Sequence, residues 1–115
     1  MYKTAIAALA VAILPLFAMA PANAGQCYEG IGCASSQYFS KASLAELGCQ
    51  PLWEVRNRIY KDRGYCFHTA SGINMMGNQG CFINNQGSVP LNVYESANVG
   101  AIRSVERAKS CHFGG

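Results

Sequence analysis

The sequence predicts a mainly α-helical, disulfide-stapled small domain. It has two principal helices, at about 51–63 and 93–109, with short extra helical turns and long loops. Three observations predict this. Six cysteines (Cys27, Cys33, Cys49, Cys66, Cys81 and Cys111) all follow an export-type leader. Two stretches carry apolar residues at helical spacing between start and stop signals. The chain between them has Gly-Asn-Gln turn chemistry and no steady period.

The leader comes first. Lys3 is its positive start, Ile6 to Phe17 a short apolar core broken by Pro15, and Ala22-Asn23-Ala24 a small-x-small cleavage site. Residues 1–24 therefore read as a secretory signal peptide cleaved after Ala24. The apolar run falls short of the ~20 residues that a spanning helix needs. No other run is longer, so no membrane span is expected after cleavage. Gln26 stands directly before Cys27, where a lipoprotein signal needs a small residue. Cleavage leaves 91 of the 115 residues, with eight basic against six acidic side chains once Lys3 is gone. That mild positive balance argues against a nucleic-acid binder, which clusters far more charge.

An even cysteine count in a small exported domain implies disulfides. At about 2–4 kcal/mol each, such bridges would be a large share of a small domain's stability. The competing reading is a zinc site. It lacks a Cys-x-x-Cys pair, and His68 and His112 sit outside ligand-pair spacing. No metal and no cofactor are expected. If every cysteine is paired, no thiol nucleophile remains.

Residues 25–43, rich in Gly, Ser, Ala and Gln, read as a flexible N-terminal arm. Within it Cys27 and Cys33 bracket Gly30 and Gly32, which allow a tight turn and a local bridge. The domain proper is expected over 44–111, with 112–115 a C-terminal tail. Ser43-Leu44-Ala45-Glu46 matches a capping box opening a short helix, which Gly48 and Pro51 cut off. Pro51 suits the first turn of the next helix. Leu52, Val55, Ile59 and Arg63 follow one stripe, flanked by Trp53 and Tyr60, and Arg56 lies where it can stack on either ring. Lys61 and Arg63 suit the helix's negative end, and Gly64 is a left-handed C-cap. Thr69 to Met76 can form one or two turns, and Gly77-Asn78-Gln79-Gly80 is a turn delivering Cys81. Asn92 and Glu95 form a second capping box. The last helix follows, with Val93, Ala97, Gly100, Ala101, Ser104, Val105 and Ala108 along one side and Val99 and Ile102 widening it. Arg103, Glu106, Arg107 and Lys109 are placed on or near its polar side.

Six cysteines allow many pairings. The pairing chosen is Cys27–Cys33, Cys49–Cys111 and Cys66–Cys81. Cys49 stands before the first long helix and Cys111 after the last, so an antiparallel helix pair brings them together. Cys66 and Cys81 then close the central loop.

The pattern Leu52-Trp53-x-x-Arg56-Asn57-x-Ile59-Tyr60-x-x-x-Gly64-Tyr65-Cys66-Phe67 resembles the YARHG domain. Gly77-Asn78-Gln79-Gly80-Cys81, Val89-Pro90-Leu91 and Ile102-Arg103-x-Val105-Glu106 continue the resemblance. The motif that names this bacterial family reads Tyr60-Lys61-Asp62-Arg63-Gly64 here. Lys61, Asp62 and Arg63 replace Ala, Arg and His, so no role for a motif histidine carries over. The resemblance implies a periplasmic or secreted domain associated with the cell envelope, without an assigned reaction.

Candidate binding residues are Trp53, Arg56, Asn57, Tyr60 and Arg63; no catalytic set is named. Arg56 reads as a clamp at the core edge before it reads as a ligand handle. Asn57, a poor helix former, is expected to hydrogen-bond towards the Cys66–Cys81 loop. Trp53, Tyr60, Tyr65 and Phe67 read as core before sugar platform, and Arg56, Arg58, Lys61 and Arg63 as mostly solvated surface. His68 has no matched partner at a motif spacing. Glu54 and Asp62, eight residues apart on a helix, stand about 12 Å from each other, beyond the range of glycosidase carboxylates. The expected function is a non-catalytic envelope-associated binding or structural role, with peptidoglycan or another envelope protein as partner. The alternatives are an envelope-acting hydrolase and a secreted inhibitor or effector.

Overall fold

The structure, a computed structural model, describes residues 25–112. The expected signal peptide and residues 113–115 of the expected tail lie outside them. The order is β1 (Cys27–Tyr28), β2 (Gly32–Cys33), α1 (Lys41–Ala45), α2 (Cys49–Lys61), α3 (Ala70–Met76) and α4 (Val93–Ala108). A 3-10 turn at Gln86–Ser88 precedes α4. The domain is mainly α, with one two-residue antiparallel hairpin in which Cys27 faces Cys33.

Helices α2 and α4 form the centre. The Cys49–Cys111 bridge joins the start of α2 to the chain just past α4, while Arg63, past the end of α2, pairs with Glu95 in the first turn of α4. The two helices are therefore antiparallel. Leu52, Val55 and Ile59 of α2 meet Val99, Ile102 and Val105 of α4, with Leu44 of α1 and Phe39 beside them. A smaller cluster joins Trp53 to Phe67 and Met76. The other bridges are Cys27–Cys33 and Cys66–Cys81.

Several local expectations are corrected. Helix α1 begins at Lys41, because Ser40 takes the N-cap and accepts the Ser43 N–H at 3.1 Å. Ser43 is thus inside the helix. Helix α2 begins two residues before Pro51, capped by Gly48 without a side-chain bond; Pro51 still sits in the first turn, where its missing N–H costs nothing. Residues 25–43, expected as a flexible arm, are docked on α4. Asn98 there donates to the carbonyls of Ala34 and Gln37 at 3.0 and 2.9 Å and accepts from Phe39 N–H at 2.8 Å.

The largest correction concerns α4. Its buried face runs Glu95, Asn98, Val99, Ile102, Val105 and Glu106. Val93 is 65 % exposed, and Ala97, Gly100 and Ala108 also face solvent. Glu95, Asn98 and Glu106 on this face are each paired, which is what makes their burial affordable.

Candidate functional site

The C-terminal end of α2 carries the motif segment, and hydrogen bonding explains its two ends. Gly64 has φ +93°, a region that favours glycine. Its N–H bonds Lys61 O at 2.9 Å, and Tyr65 N–H reaches back to Tyr60 O at 3.2 Å. This is a Schellman cap, with the usual apolar contact between its outer members: the Tyr60 and Tyr65 rings lie 5.9 Å apart. Gly64 O then accepts from Phe82 N–H and Ile83 N–H at 2.9 and 3.0 Å, and the Phe82 ring lies over Gly64. A Cβ at that glycine would sit 2.3 Å from the ring.

The inner motif residues line a groove of about 490 Å³, together with Gly80, Phe82 and Pro90. Phe82 is 74 % exposed at this groove. Arg63 is held by the Glu95 carboxylate, with Nε 3.0 Å from both oxygens. The same carboxylate accepts Asn92 N–H at 2.8 Å, completing the capping box of α4. Glu95 thereby ties the end of α2 to the start of α4.

Asp62 faces the docked N-terminal segment. Burial pushes its carboxyl above the ordinary range; Arg58 and the Gln26 N–H pull it down, Glu95 raises it and Lys61 lowers it. Tyr28 stands near the same charges. Burial and Asp62 push its hydroxyl up to about 12 against the pull of Arg58, and that hydroxyl has no hydrogen-bond partner among the described residues.

The five candidate binding residues do not gather at one surface. Arg63 lines the motif groove, and Tyr60 is buried beneath the motif. Trp53 is 2 % exposed in the smaller cluster and borders a separate cleft with Gln50, Ser71, Asn74 and Met75. Arg56 is buried and grips Glu106, with Nε–Oε1 at 2.8 Å and Nη2–Oε2 at 3.1 Å. Asn57 donates to Trp53 O one turn back in its own helix, at 2.9 Å. This corrects the expected bond to the Cys66–Cys81 loop, which is instead held from within by Asn78, paired with the Phe67 backbone at 2.7 and 2.9 Å.

Sequence reading missed Phe82, Asn98, and the partners Glu95 and Glu106. One signal was present: Arg56 and Glu106 lie one to two turns inward from the two ends of the Cys49–Cys111 bridge. His68 lies on the surface with Nε2 2.8 Å from Asn84 O. Arg56, Asp62 and His68 line three different cavities. Among the described residues, no group of acidic, His and Cys side chains could hold a metal ion.

A family model described as the YARHG domain matches residues 24–107. No curated protein and no solved structure matches the chain.

Proposed function

The chain belongs to the YARHG domain family, an extracytoplasmic family, and on that premise we propose that it is a non-catalytic binding domain of the bacterial envelope. It is exported by residues 1–24 to the periplasm or the medium, and peptidoglycan is its partner. Three disulfides fit an oxidising compartment. No helix among the described residues is long and apolar enough to cross a membrane.

The observation that carries the proposal is Phe82. A ring left 74 % exposed beside the Lys61 ammonium is the chemistry that receives a sugar face and a peptide carboxylate together. The backbone bonds from Gly64 hold that ring's segment in place, so little ordering remains to be done on binding.

The test is co-sedimentation with purified sacculi. The wild-type mature protein should pellet with them, while Phe82→Ala and Lys61→Gln should stay largely in the supernatant. Wild-type protein that remains wholly in solution removes the peptidoglycan reading. It leaves another envelope protein as partner, to be sought at the same groove.

A further inference from the structure

We propose that a second site, at the far end of the helix pair, binds a phosphate monoester as its dianion. The cleft there measures about 160 Å³ and is lined by Arg56, Arg103, Glu106, Arg107 and Cys111. It is separate from the motif groove and independent of the sacculus reading.

Charge accounting comes first. Arg56 and Glu106 neutralise each other through their two-pronged contact. Arg103 and Arg107 remain. Neither has a hydrogen bond or ion pair among the described residues. They are four apart on α4, so both project from one face. Like charges at this spacing repel. The cleft thus holds two uncompensated guanidinium groups against a neutral floor.

The helix fields do not oppose an anion. The C-terminal end of α4 alone would repel one. However, the Cys49–Cys111 bridge sets the N-terminal end of α2 beside it. That end has no side-chain cap, and its positive field offsets the negative one.

The ligand class follows from the uncompensated charge. A phosphate monoester carries about −1.5 to −2 at pH 7, which matches Arg103 and Arg107 together. A carboxylate, with a single charge, leaves one of them unmatched. Planar guanidinium forks also grip phosphate oxygens in pairs.

The test uses the oxidised mature protein and follows backbone amide shifts during titration with inorganic phosphate at pH 7. Saturable shifts over residues 103–111 are expected, and acetate should bind about tenfold more weakly or worse. Arg103→Gln with Arg107→Gln should weaken phosphate by at least about tenfold, whereas Lys61→Gln, which removes a charge elsewhere, should not. Parallel sedimentation with phosphatidic acid vesicles separates the sources: capture by vesicles identifies a lipid headgroup, and response to free phosphate alone identifies a soluble ester. The proposal is overturned by any of three results. These are no saturable shift, acetate matching phosphate, or Lys61→Gln weakening binding as much as the arginine pair does.

Discussion

Replacing Glu106 by alanine should be the most damaging single change at the helix interface. The carboxylate is 10 % exposed and its Arg56 partner 4 %, so removal takes the counter-charge away from a buried guanidinium. Breaking a buried pair from one side costs roughly 3–5 kcal/mol. The small exposure of Glu106 lets some water reach the guanidinium, which favours the lower end. Arg103 and Arg107 at the same cleft push the cost back up, because Glu106 is the one anion lining it among the described residues. We expect about 3–4 kcal/mol, from a total of about 5–15 kcal/mol for a domain. At about 4–8 °C per kcal/mol for this size, the midpoint falls by more than about 10 °C. The assay is thermal and urea unfolding of the oxidised protein, followed by circular dichroism. The double variant Arg56→Met with Glu106→Leu is the decisive comparison, since an apolar pair of similar volume avoids the desolvation cost. It should lie within about 1 kcal/mol of wild type. A Glu106→Ala variant that loses under about 1 kcal/mol would refute the reasoning, because the carboxylate would then not be what compensates the buried guanidinium.

Three further changes test other contacts. Asn98→Ala removes three hydrogen bonds to residues 34–39; it should cost about 2–4 kcal/mol and speed amide hydrogen exchange at Phe39 while α2 stays protected. Tyr28→Phe deletes a hydroxyl that has no hydrogen-bond partner, so it should stabilise the domain by about 1 kcal/mol in urea unfolding. The same hydroxyl is raised from 10.0 to about 12 in the fold. Its contribution is thus complete below the unfolded value and is lost as pH rises from 10.0 to about 12. An alkaline stability curve should show that loss in wild type and lack it in Tyr28→Phe. Gly64→Ala forces a side chain into φ +93° and against the Phe82 ring; we expect a loss of about 1–3 kcal/mol and weaker sedimentation with sacculi.

Helix identity was legible where local chemistry decides it. Asn92 and Glu95 announce the start of α4, and Tyr60 and Gly64 announce the end of α2, because caps are built from neighbours in sequence. The ends of the long bridge could be read in the same way, from cysteines just outside two helices. The candidate site was much less legible. An apolar stripe assigns Glu95, Asn98 and Glu106 to solvent, yet their partners Arg63, the residue 34–39 backbone and Arg56 come from far along the chain. Long-range pairing of this kind leaves no period in the sequence. Phe82 was passed over for the opposite reason: a lone ring in a polar loop carries no pattern, and only the fold shows that it stands in the open above Gly64.

The bridges also set an order of assembly. Cys27 and Cys33 are neighbours in the cysteine sequence, but Cys49–Cys111 encloses Cys66–Cys81. A chain oxidised strictly as it emerges would join Cys49 to Cys66, the next thiol to arrive. The native partner is the last of the six to be made, and it follows all of α4. Cys49 must therefore stay reduced until that helix docks, or be rescued by thiol exchange. Along the second route maturation needs a shuffling catalyst as well as an oxidant, and a host lacking disulfide isomerase activity should then accumulate the 49–66 isomer.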